Sequence, residues 1–193
     1  MKRRINKYIK SAVENYICVL QDETLQEKIQ KIVIKSIAAF RYDKKILLCG
    51  NGGSASDAQH IAAELSGRFY ADRPPLYAEA LHVNSSYMTA AANDYGYETT
   101  YARMVEAAGR KGDILVGIST SGNSPNVVKA MRKAKETGML TVGFTGKDGG
   151  KMKDICDIMI CVPSVDTPRI QEAHILIGHI ICQLVEEEMF SNA

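Results

Sequence analysis

Apolar residues near the N-terminus recur at helical spacing in two successive runs. The first run comprises Ile5, Ile9, Val13, Tyr16, Ile17 and Leu20, and the second comprises Leu25, Ile29, Ile32, Val33 and Ile37. This period predicts two amphipathic helices between residues 4 and 41, divided near the polar segment Gln21–Thr24. Thr24 is the expected N-cap of the second helix, with Glu27 completing a capping box. No glycine loop or chemistry lies beside the first helix, so we expect it to be an oligomer contact or a lid.

Further along the chain, short apolar strands alternate with loops and helices. The predicted strands are Lys45–Cys49, Asp113–Ile118, Leu140–Thr145 and Ile155–Val162. Pro125 suits the first turn of a helix that Gly138 ends, and an amphipathic helix spans Arg169–Glu188. Because parallel strands need crossover connections, which helices normally provide, this alternation predicts a parallel sheet covered on both faces. The expected fold is α/β: a three-layer αβα sandwich of residues 43–193, with a helical extension of the same domain at residues 1–42.

Composition narrows the class of protein. A chain of 193 residues can bury one sizeable core, and 24 basic against 22 acidic residues give no electrostatic footprint of a nucleic-acid binder. The longest apolar stretch, Ile175–Val185, is broken by His179 and Gln183 and is shorter than the ~20 residues that span a bilayer. The basic residues at the start precede no apolar signal segment. We therefore expect a soluble, cytoplasmic protein with no membrane or nucleic-acid partner.

The five cysteines predict a reducing environment. They are Cys18, Cys49, Cys156, Cys161 and Cys182, an odd number that lies in apolar surroundings without a CxxC motif. Free cysteine behaves mostly as a small buried hydrophobe. We expect all five to be reduced core residues rather than metal ligands or a disulfide framework.

A glycine-rich loop, Gly50–Gly53, follows the first predicted strand of the sheet and precedes a helix. Glycines let the backbone approach a ligand closely, and the free N–H groups of a helix N-terminus favour an anion. Ser54 or Ser56 could cap this helix, and Ser54 with Asp57 has the spacing of a capping box. The loop therefore predicts an anionic ligand.

The same helix carries His60 and Glu64 one turn apart on one face. Such a pair can bind a metal, move protons or form a surface hydrogen bond, and spacing alone leaves these roles open. Near the C-terminus, Gln171 and His179 are eight residues apart, about 80° around a helix, so that both can border one cavity. Spacing does not exclude His174, and a lone helical histidine can equally be structural.

A second loop places four hydroxyl side chains between a strand and a helix. These are Ser119, Thr120, Ser121 and Ser124. With the backbone N–H groups they make a neutral anion cradle, and they exceed the single N-cap that a serine-rich turn would need. No GK[ST] or GxGxxG motif supports a nucleotide. Because ligands bind at the carboxyl ends of parallel strands, we expect both loops to meet there and to bind a phosphate.

Four motifs in combination make the chain similar to a known family. They are CGNGGSAS at 49–56 with His60 and Glu64, ANDYG at 92–96, STSGNS at 119–124, and RIQEAH at 169–174 with His179. Together they resemble the phosphoheptose isomerases, a family of sugar-isomerase (SIS) domain proteins, over nearly the whole chain. The serine loop alone would mark only an SIS phosphosugar domain, which the resemblance places at residues 43–193. Met104 departs from the pattern, since a polar glutamine is expected there.

The resemblance implies a zinc ion, one per subunit, held by His60, Glu64, Gln171 and His179. It also implies substrate contacts from Asn51, Gly52, Gly53, Ser54, Glu64, Asn93, Asp94, Ser119, Thr120, Ser121, Ser124 and Gln171. A homotetramer with neighbouring subunits completing each site is a further implication. A glutamine such as Gln171 is an unusual zinc ligand. A carboxylate that binds a cation, as Glu64 would, also becomes a weaker base.

The implied activity converts sedoheptulose 7-phosphate to D-glycero-D-manno-heptose 7-phosphate through an enediol. Glu64 is the expected base and His179 its acid/base partner. This reaction would be the first step of ADP- or GDP-activated heptose biosynthesis for lipopolysaccharide or capsule. Two alternatives stay open: a non-catalytic SIS protein that binds a replication-initiator partner, and an SIS isomerase of another phosphosugar. The presence of all four of His60, Glu64, Gln171 and His179 favours the enzyme, because a binding module does not need them.

Overall fold

A computed structural model of the protein describes residues 1–190 and begins with two long helices. Helix α1 spans Lys2–Gln21 and helix α2 spans Glu23–Arg41, as the apolar period predicts. The predicted cap of α2 is wrong. Asp22, not Thr24, is the N-cap, and its side chain accepts a hydrogen bond from the Leu25 N–H at 2.9 Å. A carboxylate at this position also interacts favourably with the helix dipole, so the helix begins earlier than the Thr24–Glu27 pattern suggests.

The core of the protein is a five-stranded parallel sheet. Its strands are β1 (Ile46–Gly50), β2 (Ala78–Ala80), β3 (Ile114–Ile118), β4 (Leu140–Thr145) and β5 (Ile158–Cys161). Their order is β2-β1-β3-β4-β5, and every neighbouring pair is parallel. The last strand is shorter than predicted, because Asp157 accepts hydrogen bonds from the backbone N–H and the hydroxyl of Thr141 just before β5 begins. The predicted strand at 155–162 therefore pairs only in its central part.

Helices cover both faces of the sheet, which confirms the three-layer αβα sandwich. The remaining helices are α3 (Gly53–Ser66), α4 (Ser85–Tyr95), α5 (Thr100–Ala108), α6 (Pro125–Thr137) and α7 (Thr167–Phe190). Alternate residues of the strands face opposite layers: Leu48 and Val116 pack in a cluster with α2, α3 and α7, whereas Leu47 and Leu115 pack with α5 and α6. This alternation follows from the two-residue period of a strand.

The chain changes direction across the sheet between β1 and β3. From β1 it crosses to β2 on one side, and it then returns to β3 on the other. The register pairs Gly50 at the end of β1 with Ile118 at the end of β3. The loops that follow these two strands are therefore neighbours at a topological switch point, where ligands of open α/β sheets bind.

The burial of the cysteines agrees only in part with the prediction that all five are core residues. All five cysteines are free; Cys49 and Cys182 are buried, and Cys156 and Cys161 are partly buried. Cys18 is exposed on α1, so its predicted core position is wrong: the helix turns it away from the α2 and α7 contacts that bury Val19. Among residues 1–190, no helix combines the length and apolar character needed to cross a membrane.

Candidate active site

The loop after β1 enters α3 through an unusual backbone conformation at Gly52. This residue is the N-cap of α3 and has φ of 55° and ψ of −123°, a conformation that side chains disfavour. The helix therefore starts at Gly53, and the predicted serine caps and Ser54–Asp57 capping box are wrong. Ser54 is buried in the first turn, and the Ser56 hydroxyl donates to the Gly52 carbonyl at 3.4 Å.

Asn51 connects this loop to α6 through a reciprocal amide pair. Its Nδ2 donates to Asn126 Oδ1 at 2.9 Å, and Asn126 Nδ2 donates to Asn51 Oδ1 at 2.8 Å. The Tyr97 hydroxyl also donates to Asn51 Oδ1, at 3.0 Å. Sequence reasoning did not identify Asn126 or Tyr97, because partners 75 and 46 residues away leave no spacing signal. The pair fixes the glycine loop beside the start of α6.

The serine loop lies next to the glycine loop, as the topology predicts. The hydroxyls of Ser119 and Ser124 are 2.9 Å apart, and Ser121 Oγ accepts the backbone N–H of Asn123 at 3.2 Å. Ser124 is the N-cap residue and Pro125 the first residue of α6, as predicted. The Ser124 hydroxyl, however, contacts Ser119 instead of capping the helix. Thr120 is partly buried and Ser121 is exposed, so hydroxyl groups remain at the mouth of the loop.

Three predicted residues converge where α3 and α7 pack together. His60 Nε2 lies 3.0 Å from Glu64 Oε1, and His179 Nε2 lies 3.2 Å from His60 Nε2 and 3.5 Å from Glu64 Oε1. All three ligand atoms fall within 4.8 Å of one another. We call His60, Glu64 and His179 the triad. Two imidazole nitrogens and one carboxylate oxygen are a donor set that suits zinc and other borderline divalent metals.

The second oxygen of Glu64 supports this fit. Glu64 Oε2 is buried, and it has no hydrogen-bond partner among the described residues. A buried carboxylate oxygen without a partner is costly, and a bound cation would offset that cost. The residues present therefore fit a metal ion held by the triad.

Gln171, the predicted fourth ligand, lies at the other end of the helix pair. Its side-chain amide packs against Gly53: a Cβ added at Gly53 would lie 2.6 Å from Gln171 Nε2. Gln171 thus borders the glycine loop at the start of α3, whereas His60 and Glu64 lie two or more turns further along. Its position places it near the predicted substrate contacts, and its role as a ligand stays a prediction.

Asp57 is a site residue that sequence reasoning treated only as part of a cap. It lies one turn before His60 on α3, and its Oδ2 is buried with no hydrogen-bond partner among residues 1–190. Burial raises the pKa of Asp57 to about 6, although the nearby His60 and His179 act in the opposite direction. A signal was present, because Asp57, His60 and Glu64 recur at helical spacing.

Two other predicted contacts occupy more distant positions. Asn93 and Asp94 are exposed near the end of α4, where Asn93 Nδ2 donates to Asp94 Oδ1 at 2.9 Å. No hydrogen bond in the described part of the chain joins them to the triad or the two loops, so their substrate contacts stay predictions. Met104 packs against the cluster under α5 and α6, which accounts for an apolar residue at that position.

His174, which spacing could not exclude, belongs to the core. It is fully buried, its Nε2 lies 3.0 Å from the Thr145 carbonyl, and its ring packs on Phe144. Burial lowers the pKa of His174 to about 4, while the Thr145 carbonyl acts in the opposite direction. His174 is therefore a neutral structural histidine outside the site.

Comparison with known proteins gives concordant matches. The SIS domain model matches residues 7–146. A phosphoheptose isomerase of Clostridium acetobutylicum is 55% identical over 192 residues, which cover 100% of this chain and 98% of that protein. The structure of a phosphoheptose isomerase from Neisseria gonorrhoeae superimposes with a TM-score of 0.90 at 39% identity, covering 96% of this chain and 98% of that one. The corresponding structure from Francisella tularensis has a TM-score of 0.92 at 34% identity, covering 96% and 97%. With a full-length relative at this identity and matching folds, the chain belongs to the phosphoheptose isomerase family of SIS-domain proteins.

Proposed function

We propose that this protein isomerises sedoheptulose 7-phosphate to D-glycero-D-manno-heptose 7-phosphate through an enediol. The observation that carries the proposal is the convergence of His60, Glu64 and His179 between α3, the helix that follows the glycine loop, and α7. Full-length similarity to proteins named phosphoheptose isomerase supports the same reaction. We also propose that the product supplies activated heptose for lipopolysaccharide or capsule.

The reaction moves a proton between C1 and C2 while the adjacent oxygens gain and lose protons. It needs a base, an acid and stabilisation of negative charge on oxygen. We assign Glu64 as the base that removes the carbon-bound proton and His179 as the group that exchanges protons with the sugar oxygens. These side chains come from different helices, α3 and α7, so they can face one substrate from two sides.

The hydroxyl loop is the proposed anchor for the phosphate. Ser119, Thr120, Ser121 and Ser124 surround the start of α6, where free N–H groups favour an anion. Asn51, Gly52, Gly53, Ser54 and Gln171, together with Asn93 and Asp94, are the proposed further substrate contacts. Binding energy from the distant phosphate would hold C1 and C2 against Glu64.

Zinc is the proposed metal, one ion per subunit, with His60, Glu64 and His179 as ligands and Gln171 as the fourth. When bound, it would supply Lewis-acid polarisation of the sugar carbonyl. Metal analysis tests this assignment: zinc should copurify in a 1:1 ratio, and a His60→Asn variant should lose it. Equal zinc content in the two proteins would contradict the assignment.

A homotetramer is the proposed assembly, with α1 at its interfaces and neighbouring subunits completing each site. The exposed face of α1 carries large apolar side chains, and a groove of about 690 Å³ lies between α1, α2 and α7. Side chains of α1 and α2 also enter the core beside α7, so we treat residues 1–42 as an extension of the domain at 43–193. Analytical ultracentrifugation over a concentration series should show tetramer, and monomer alone would contradict this proposal.

The central experiment is incubation with sedoheptulose 7-phosphate, with and without a chelator, while aldoheptose formation is followed. Turnover that chelation abolishes and zinc restores is the expected result. Binding without turnover would favour a non-catalytic SIS protein, and turnover of a different phosphosugar alone would favour another isomerase of this fold. The cytoplasm is the proposed location, and localisation of a tagged protein by cell fractionation would test it.

A further inference from the structure

A buried ion pair lies directly behind the triad, where the end of α3 meets α7. Arg73 and Glu186 are 8% and 4% exposed, and Arg73 Nε donates to Glu186 Oε2 at 3.0 Å. We call these two residues the clamp. Arg73 lies in the loop after α3, whereas Glu186 follows His179 on α7 by seven residues, or about two helical turns. Glu186 and His179 therefore lie on the same face of α7.

The guanidinium of Arg73 closes the last turn of α3. Its Nη2 donates to the main-chain carbonyl of Glu64 at 2.9 Å, and its Nη1 donates to the Leu65 carbonyl at 2.8 Å. Carbonyls in the final turn of a helix lack intrahelical partners, and a planar guanidinium can satisfy several at once. Arg73 thus holds the backbone of the triad's carboxylate residue directly.

The carboxylate of Glu186 organises the loop that places Phe69 beside His179. Its two oxygens accept the backbone N–H groups of Phe69, Tyr70 and Ala71 at 3.0, 2.7 and 2.8 Å. The ring of Phe69 lies with its centroid 6.1 Å from that of His179. One carboxylate on α7 therefore fixes both the guanidinium that holds Glu64 and the aromatic ring beside His179.

We propose that Arg73 and Glu186 are positioning residues that hold Glu64 of α3 at its working distance from His179 of α7. The inference rests on the proposed isomerase function for its kinetic consequence, but its consequence for metal binding does not depend on it. Residues that orient metal ligands from behind typically contribute roughly 10–100-fold in metal affinity or activity. A pair that served only stability would contribute to neither in the folded protein.

The test compares two clamp variants with a matched control in the full-length protein. Glu186→Gln removes the negative charge of the clamp. Arg73→Lys keeps the positive charge but loses the planar guanidinium, which donates several hydrogen bonds at once. The control is Asp113→Asn. Asp113 is 1% exposed, pairs with Lys45 Nζ at 2.7 Å and accepts the Lys45 and Arg110 N–H groups, all at the opposite end of the sheet. Circular dichroism would first select the temperature at which each variant is folded.

We expect both clamp variants to lower kcat and Co²⁺ affinity by roughly 10–100-fold, with KM for sedoheptulose 7-phosphate nearly unchanged. The control should lose thermal stability while keeping kcat and Co²⁺ affinity. Clamp variants that bind Co²⁺ and turn over like the control would overturn the inference and leave the proposed function intact. If the wild type shows no turnover, the proposed function fails, and Co²⁺ affinity still decides whether the clamp positions the triad. If Glu186→Gln does not fold, the milder Arg73→Lys decides the same question.

Discussion

Gly178 sets how closely α3 and α7 approach beside the triad, and its replacement by alanine tests this. A Cβ at Gly178 would lie 2.6 Å from Cδ1 and 2.8 Å from Cγ1 of Ile61, both closer than real contacts allow. Gly178 directly precedes His179, and Ile61 directly follows His60. Any widening of the helix pair at this point would therefore lengthen the 3.2 Å separation between the two histidine Nε2 atoms.

Two opposing effects determine the size of the change in stability. Forcing an extra methyl group into a packed core costs about 1–3 kcal/mol. Alanine in place of glycine in a helix interior contributes about 1 kcal/mol in the opposite direction. The net expectation for Gly178→Ala ranges from no change to a loss of about 2 kcal/mol in the free energy of unfolding.

A second substitution makes the prediction sharper. Ile61 is 5% exposed, so Ile61→Ala alone should cost about 2–5 kcal/mol through its cavity. The Ile61→Ala variant lacks Cδ1 and Cγ1, the atoms that a Cβ at Gly178 would meet. In this variant Gly178→Ala should therefore stabilise the protein by about 1 kcal/mol. The effect of the same alanine should thus shift by about 1–3 kcal/mol between the two backgrounds, the range expected for contacting residues.

Urea unfolding of the wild type, Gly178→Ala, Ile61→Ala and the double variant measures this coupling. All four would be compared at one protein concentration with a chelator present, because bound metal and subunit association both change apparent stability. Co²⁺ affinity and kcat of Gly178→Ala would be measured in parallel and should both fall. An equal effect of Gly178→Ala in the two backgrounds, or a Gly178→Ala variant with wild-type metal affinity, would refute the reasoning.

Three further predictions concern single carboxylates. Glu64→Gln should lower kcat by about 10²–10⁴-fold, the contribution of a positioned base, while calorimetry still detects sedoheptulose 7-phosphate binding; retained turnover would remove Glu64 as the base. Because burial raises the pKa of Asp57 to about 6, the metal-free protein should lose stability as pH rises from about 4 through 6. Asp57→Asn should remove about 1 kcal/mol of that loss, a value reduced for partial exposure, and an unchanged slope in chelator-treated samples would contradict it. Burial opposes ionisation of Glu186, yet three backbone N–H groups and Arg73 hold its pKa below the ordinary value of 4.5. The ionised carboxylate therefore stabilises the folded protein above about pH 4.5, and this stabilisation is lost as the pH falls further. Glu186→Gln should therefore flatten the acid side of the melting-temperature profile between pH 5 and 3, and a profile parallel to wild type would argue against this role.

The sequence predicts those parts of the fold that have local signals. Apolar period identifies α1, α2 and α7, and glycine or proline marks both ends of α6. Strand β2 is missed because its three residues, Ala78–Ala80, are too short for a pattern. The caps of α2 and α3 are misplaced because the choice between adjacent residues depends on backbone angles, such as the positive φ of Gly52, that residue types alone do not specify.

For the site, the spacing of His60 and Glu64 predicts that they share one face of α3. It does not predict which residue of another helix packs against that face. His179 comes from a helix more than a hundred residues away, and only the family resemblance groups it with His60 and Glu64. The Asn51–Asn126 amide pair and the Arg73–Glu186 clamp are absent from the prediction for the same physical reason. Contacts between distant segments are set by helix packing, which a single sequence does not encode as spacing.

The triad and the hydroxyl loop are supported by different elements of the fold. Gln171 meets Gly53, Gly178 meets Ile61, and Glu186 meets the end of α3 through Arg73, so the two helices run in the same direction. The triad lies at the second of these contacts and extends toward the third, so packing within the helix pair holds it. The hydroxyl loop belongs to β3 and α6, on the other side of the glycine loop. Substitutions in the hydroxyl loop should consequently act mainly on KM through phosphate binding, and substitutions in the helix pair should act mainly on kcat and metal affinity.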